Sequence, residues 1–355
     1  MEKRISKFTL RAAAAALSVA LCLFCGCTEK EPEQTLPLAQ TQPTAAAETS
    51  LPETLPPETT MPELEEGIVV HEGRYYRLRE DQLRILVIGL DKRDHKVSDS
   101  GYTNRMQSDF LLLVVMDKNT HECDILNLNR DLMTAIRRLG FGGAVTGSFT
   151  GQLALAHTYG RGGRDSAENV IWSVSHFLGG IPIDHYMTLS MAAVSRLNDL
   201  VGGVTVTVLE DLSAQDPALV KGREVTLNGR QALIYVRGRM NVGDGTNLGR
   251  MERQEQYLHG FYRQFLEMDR KLDVEFLTRV LMSLGTSFHS DLDFEGLNEL
   301  RKLLPGIQVN GFQSVKGELV RGENYYEFYA DPDALRAQCI DLFYEEISAD
   351  EAFRK

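Results

Sequence analysis

Leu83 to Leu90 reads Leu-Arg-Ile-Leu-Val-Ile-Gly-Leu, a nearly unbroken apolar run that gives way to Asp91. A strand with one wet face alternates apolar and polar residues, whereas a strand covered on both faces has no reason to. The run therefore predicts an interior strand of a sheet with helices above and below it. Phe110 to Met116 is a second such run, and Glu122 to Asn129 alternates around Ile125 and Leu128. Asp117-Lys118-Asn119 supplies a turn between them, so the two form a hairpin. Further strand-like and helix-like segments then alternate along the chain, which predicts an α/β fold: an α/β/α sandwich around a central mixed sheet.

Before the first strong strand, Ile68 to Arg77 reads as an early strand or hairpin. Gly140 to Gly151 reads as a glycine-rich segment leading into a short helix over Leu153 to Tyr159. Asp165-Ser166-Ala167-Glu168 has the form of a capping box opening a helix to Phe177. The glycines ahead of it, Gly160, Gly162 and Gly163, read as a capped turn rather than a phosphate loop, because no Walker lysine or G-x-G-x-x-G pattern accompanies them. A strand runs into Leu189, and a helix follows over Met191 to Leu200. Val204 to Val208 forms another strand, and Leu227 to Val236 is helical. Tyr257, Phe261 and Phe265, at steps of four, give Leu248 to Met268 the core face of a long helix. Leu272 to Leu284, Phe294 to Leu304 and Pro332 to Glu345 are expected to be helices, with a short strand at Tyr325 to Tyr329.

The ends of the chain set its place in the cell. Lys3, Arg4, Lys7 and Arg11 precede an apolar run from Ala12 to Cys25, shorter than the about 20 residues a spanning helix needs. Residues 1–27 thus read as a lipoprotein-type export signal, with Cys27 as the acylated residue; the alternative is a single-pass signal anchor. Thr28 to Pro62 holds seven of the eleven prolines, and residues 28–66 are read as a disordered Pro/Thr/Glu-rich tether. The remainder divides into a main domain, 67–268, and a mainly helical extension, 269–355, packed on it. Only Cys123 and Cys339 lie beyond the export segment, so no disulfide framework or C-x-x-C metal site exists in the body. The expected location is the outer face of the cell membrane. An exported chain with a net charge of -12 is not built to bind nucleic acid.

Against that acidic background, Lys221 to Arg253 carries seven Lys/Arg and three Asp/Glu. Four arginines, Arg237, Arg239, Arg250 and Arg253, flank a loop, Met240 to Gly249, with three glycines and two asparagines. Guanidinium groups grip phosphate oxygens with paired hydrogen bonds, and a glycine-rich loop lets the backbone approach an anion. Arg250 and Gln254, at i and i+4, share a helix face. Asp91, Asp109 and Asp131 stand at strand ends, with Arg93 and Arg130 beside them. Carboxylates at a sheet edge suit Mg²⁺, and metal with arginine is the recurring apparatus of phosphoryl transfer.

Taken in order, the motifs resemble the LytR-CpsA-Psr family. They are Gly89-Leu90-Asp91-Lys92-Arg93, Ser108-Asp109, Leu128-Asn129-Arg130-Asp131, Gly180-Ile181-Pro182-Ile183-Asp184-His185-Tyr186, Val201-Gly202-Gly203-Val204, Leu227-Asn228-Gly229-Arg230-Gln231-Ala232-Leu233, Tyr235-Val236-Arg237-Gly238-Arg239 and Gly249-Arg250-Met251-Glu252-Arg253-Gln254. The resemblance covers about Leu83 to Phe265. It implies an extracytoplasmic, Mg²⁺-dependent phosphotransferase that moves a glycopolymer, teichoic acid or capsule-like, from a polyprenyl-pyrophosphate carrier to peptidoglycan. It also implies an apolar pocket for the lipid. Carried over, Asp91 and Asp109 serve the metal and the pyrophosphate. Arg130, Arg237, Arg239 and Arg250 clamp phosphates, and Gln254 orients the pyrophosphate. Many members have an acidic residue where this chain has Asn247, and asparagine cannot accept a proton, which leaves Asp244 or Asp91 for any base role. Asn129 stands where proline is commoner. Two other functions use the same residues: a pyrophosphatase with water as acceptor, and a non-catalytic lipoprotein that binds polyprenyl phosphate or wall polymer.

Overall fold

The computed structural model describes residues 67–90, 106–140, 142–238, 242–243, 247–267, 284–303 and 307–353. The expected export signal, Cys27, the tether and most of the helix expected at Leu272 to Leu284 lie outside these residues, and so do Asp91 and Arg239.

Two units are present. In the smaller, β1 (Ile68–His71) and β2 (Arg74–Leu78) form a hairpin that pairs with a strand at Tyr344–Ile347. The edge of Tyr75 meets the ring of Phe353 within it.

The larger unit is built on β3 (Gln82–Leu90), every residue of which is buried. It pairs antiparallel with β4 (Ser108–Asp117), which pairs antiparallel with β5 (Glu122–Asn127). The β4–β5 turn is fixed by Asp117, whose Oδ1 accepts from the backbone of Asn119 at 2.8 Å and of Thr120 at 2.7 Å. Beyond β5 lies a second hairpin, β6 (Met133–Leu139) and β7 (Val145–Gln152). After a helix at Gly163–Phe177, β8 (His185–Ser190) runs parallel to β3 on its other side and leads into the helix Met191–Leu200. The small hairpin β9 (Val204–Thr207) and β10 (Glu224–Leu227) precedes the helices Gly229–Arg237 and Asn247–Glu267. Near the end of the chain, β11 (Phe288–Ser290) pairs with β8 and β12 (Gln308–Ser314) with β5. A helix at Phe294–Leu303 lies between these strands. The hairpin β13 (Gly317–Arg321) and β14 (Tyr326–Ala330) and the helix Pro332–Phe343 follow.

The central sheet is therefore six-stranded and mixed, ordered β11-β8-β3-β4-β5-β12. Leu83, Ile85, Val87, Val114 and Met187 on one face pack with Leu258 of the helix Asn247–Glu267 and Leu300 of Phe294–Leu303. On the other face Arg84 lies over Phe343, and the helix Gly163–Phe177 contacts β8. Both faces are covered, which is why β3 is a continuous apolar run.

Three local expectations are corrected. Gly140 to Gly151 contains a turn and most of β7, not merely a glycine-rich lead-in; Gly142 and Gly143, at φ of 93° and 87°, make the turn, and Gly147 within the strand hides its pattern. The capping box at Asp165 to Glu168 does not form. The helix begins earlier, after Gly162, and Ser166 Oγ instead accepts from the Gly162 N–H at 2.8 Å. Finally, residues 269–355 are not mainly helical where described, since β11 and β12 belong to the central sheet itself and β13 and β14 form a hairpin. At three residues β11 is too short to show a period, and β12 is interrupted between Val309 and Gly311, where its register with β5 shifts.

Candidate functional site

The pairing register collects chemistry at one edge of the sheet. Leu90, the last residue of β3, pairs with Ser108 at the start of β4 and with Ser190 at the end of β8. Beside them β5 ends and the chain turns through Asn129 to Leu132, closed by the Leu132 N–H donating to the Asn129 carbonyl at 3.1 Å. This is the carboxyl edge of the parallel strands β3, β5 and β8, where α/β sheets place their ligands.

Asp109, one residue into β4, sits at the centre. Arg130 Nη1 lies 2.5 Å from its Oδ1, and Arg250 Nη1 lies 3.5 Å from its Oδ2. Arg250 Nη2 also donates to the Asp109 carbonyl at 3.1 Å. Arg130 reaches two more acceptors, Gln107 Oε1 at 2.7 Å from Nη2 and Asp131 Oδ1 at 3.5 Å from Nε. Side-chain exposure is 10% for both Asp109 and Arg130 and 3% for Arg250, so these charges are largely withdrawn from water. Charges in such surroundings interact far more strongly than exposed ones and need close partners.

Asp131 is anchored from behind, with Gln152 Nε2 donating to its Oδ1 at 2.9 Å and to the Tyr326 carbonyl at 2.7 Å. Asn129 Oδ1 accepts from the Asp131 N–H at 3.0 Å and from Asn247 Nδ2 at 2.6 Å.

Arg237 ends the helix Gly229–Arg237, is half-buried, and forms no ion pair among the described residues. Gln254, one turn beyond Arg250, donates from Nε2 to the Val236 carbonyl at 3.0 Å, which ties the end of that helix to the helix bearing Arg250. The structure thus brings together Asp109, Arg130 and Arg250, and sets Gln254 beside the residue preceding Arg237.

Arg253 has a different job from its neighbours. It is 1% exposed, donates from Nε to Glu210 Oε2 at 2.8 Å, and donates to the carbonyls of Tyr235 and Gly238. Burial lowers the Arg253 pKa, with the Glu210 charge opposing that shift. It fastens the end of the preceding helix rather than facing a ligand.

Near the same sheet edge lies a cavity of about 90 Å³, lined by residues that include Gly89 and Phe110 of β3 and β4, Ser190 at the end of β8, Val194, and Gln254 and Phe261 of the helix Asn247–Glu267. Phe110 adjoins Asp109 in the chain, and Gln254 is one helical turn from Arg250, so two of the lining residues neighbour the charged cluster in sequence. Gly89 makes room for Phe110 across the strand pair, because a Cβ there would meet Phe110 Cβ at 2.8 Å. The charged site with an apolar chamber near it suits an amphiphile with an anionic head.

A divalent ion fits the chemistry of Asp109. Its Oδ1 is buried and, although Arg130 Nη1 is close, it accepts no hydrogen bond among the described residues. Mg²⁺ is commonly held by one or two carboxylates together with substrate phosphates. Among the described residues no group of three or more His, Cys, Asp or Glu could form a metal cage.

The resemblance implied an apolar pocket, but sequence reasoning did not find the residues that line the cavity, the Asn129–Asn247 contact or the role of Arg253. Apolar cavity residues look like core residues in sequence; the buried asparagines had no periodic signal to mark them.

A profile of the LytR_cpsA_psr family matches residues 54–338. The chain is 28% identical over 248 residues to the polyisoprenyl-teichoic acid--peptidoglycan teichoic acid transferase TagU of Halalkalibacterium halodurans, covering 70% of this chain and 73% of that one. Among solved structures, protein gbs0355 from Streptococcus agalactiae superposes with a TM-score of 0.60 at 21% identity, over 74% of this chain and 86% of its own. TagT bound to LI-WTA gives a TM-score of 0.54 at 19% identity, over 74% and 90%.

Proposed function

The chain belongs to the LytR-CpsA-Psr family, and on that premise we propose that it is a phosphotransferase that moves an anionic glycopolymer from a polyprenyl-pyrophosphate carrier to peptidoglycan. The observation that carries this reading is the junction of Asp109, Arg130 and Arg250 with the apolar cavity. A lipid pyrophosphate has both halves that the junction requires. The name of the TagU relative states the same type of transfer.

In the proposed reaction an acceptor sugar hydroxyl attacks the phosphorus that bears the glycan. The new bond is oxygen to that phosphorus; the bond broken is from it to the oxygen bridging the two phosphorus atoms. Polyprenyl phosphate leaves with that oxygen, and the proton that the acceptor hydroxyl loses ends on the departing phosphate or in solvent. Arg130 and Arg250 hold the phosphate oxygens as charge moves onto the leaving group, and Arg237 supplies a further cation from the helix end. Because the guanidiniums are fixed before substrate arrives, their stabilisation is available without reorganisation. The wall residues Phe110, Val194 and Phe261 take the first isoprene units and exclude water from the head group. Asp109, with Asp91, would hold Mg²⁺, which neutralises phosphate charge when bound. Export and tethering at Cys27 on the outer face of the membrane would bring the site to its carrier.

The test is product analysis. Purified full-length protein is incubated with a lipid-linked glycopolymer, peptidoglycan and Mg²⁺. Polymer covalently joined to peptidoglycan, with equimolar polyprenyl phosphate, supports transfer. Polymer phosphate released to water indicates a pyrophosphatase, and donor retained intact indicates a binding protein; either result overturns the proposal.

A further inference from the structure

Arg130 and Arg250 come from elements far apart in sequence, a turn after β5 and the first turn of a late helix, and their spacing has to be set by something other than the ligand. The contact between Asn129 and Asn247 does this. Asn129 immediately precedes Arg130, and Asn247 lies three residues before Arg250 on the same helix. Both are buried, at 3% and 1% exposure.

The chemistry of the contact is fixed by its surroundings. Asn129 Oδ1 takes the backbone N–H of Asp131 at 3.0 Å, so that atom is the oxygen of the amide and an acceptor. Residue 247, 2.6 Å away, must then present a donor, and Asn247 Nδ2 is one. A carboxylate at 247 would set lone pairs against lone pairs at that distance. The bond leaves Asn129 Nδ2 and Asn247 Oδ1 buried without partners among the described residues. Two apolar side chains would give up the bond from the Asp131 N–H but would leave no amide atoms of their own orphaned, and half-satisfied buried amides weaken a fold. The couple is explained by geometry rather than by stability.

We propose that Asn129 and Asn247 are a positioning couple that sets the spacing of Arg130 and Arg250 around Asp109, with residue 247 acting as a hydrogen-bond donor and taking no part in proton transfer. The couple deepens the phosphotransferase reading by assigning how its phosphate clamp is held, and it rests on that reading for what the clamp binds. It predicts which substitutions at 247 are tolerated, and in whose company. Serine at 129 can accept from the Asp131 N–H and donate its own hydroxyl proton, so it suits a carboxylate at 247 where asparagine does not.

The experiment is a charge-matched rescue in the full chain. Binding of inorganic pyrophosphate is measured by calorimetry for the wild type, Asn247→Asp, Asn129→Ser and the double variant, with thermal unfolding of each. The couple predicts at least a tenfold loss for Asn247→Asp and recovery to within about threefold of wild type in the double variant, which carries the same charge. Unfolding midpoints should fall and recover in the same order. A double variant no better than Asn247→Asp, or Asn247→Asp equal to wild type in both readouts, overturns the proposal. If wild-type protein does not bind pyrophosphate, the clamp reading fails by itself, and the unfolding midpoints still decide whether 129 and 247 are coupled.

Discussion

Arg250 donates from Nη2 to the backbone carbonyl of Asp109 at 3.1 Å, across 141 residues of sequence. One hydrogen bond thus fastens the first turn of the helix Asn247–Glu267 to the first residues of β4, at the edge where β3, β5 and β8 end. The Asp109 carboxylate, shared by Arg130 and Arg250, is the hinge of that junction, and its removal tests the packing most simply.

Asp109→Asn leaves two largely buried guanidiniums facing each other without their common counter-charge. Removing one partner of a buried ion cluster costs about 3 kcal/mol or more. Urea unfolding of Asp109→Asn should show a loss of that order. Adding Arg130→Met should recover part of it, because the repulsion between the two guanidiniums is then gone and Asp131 keeps its hydrogen bond from Gln152; a further loss in the double variant would contradict a carboxylate shared by Arg130 and Arg250.

Arg237 and Arg253 should separate cleanly. Arg253→Met orphans Glu210 and the carbonyls of Tyr235 and Gly238, so it should destabilise the protein by about 3 kcal/mol whether or not ligand is present. Arg237→Ala removes a half-buried cation with no ion-pair partner among the described residues. It should leave the unfolding midpoint nearly unchanged while slowing transfer by about 100-fold, the usual effect of losing one transition-state donor. Unfolding and kinetic measurements on the two variants check this directly.

The contrast between these arginines also marks what a sequence can reveal. Four arginines in one stretch pointed to an anion site, yet nothing in their spacing distinguished Arg253 as scaffold. The β3 run and the β4–β5 turn were legible because burial on two faces and a side-chain-capped turn leave local patterns. By contrast, β12 owes its place to β5, more than 180 residues away by the register Gln308↔Glu122, and no local pattern encodes that. The lining of the cavity was invisible for a related reason: Phe261 and Leu258 have the same periodicity whether they fill a core or line a void.

Val194, half-buried on the cavity wall, offers a steric test. Val194→Phe should fill the chamber at a stability change of about 1 to 3 kcal/mol. Transfer from a long-chain polyprenyl donor should fall at least tenfold, while a donor analogue with a single short isoprenoid is much less affected. Equal losses with both donors would count against a lipid in this cavity.

His157, buried against the Met106 carbonyl at 3.0 Å, has its pKa lowered to about 4, mainly by burial. The unfolded chain takes up this proton near pH 6.5 and the folded chain only near pH 4, so unfolding is favoured as pH falls through that window. A shift of this size corresponds to about 3 kcal/mol, present above pH 6.5 and lost on acidification. Denaturation curves between pH 7 and 4 should show the loss in the wild type and a shallower slope in His157→Gln.

In the proposed function one amphiphile occupies both the arginine cluster and the cavity, and native mass spectrometry of the freshly solubilised full chain measures that occupant. The predicted result is a polyprenyl phosphate or pyrophosphate on the wild type, depleted in both Arg250→Ala and Val194→Phe. A wild type that carries no such lipid after exposure to it, or variants as heavily loaded as the wild type, would contradict it.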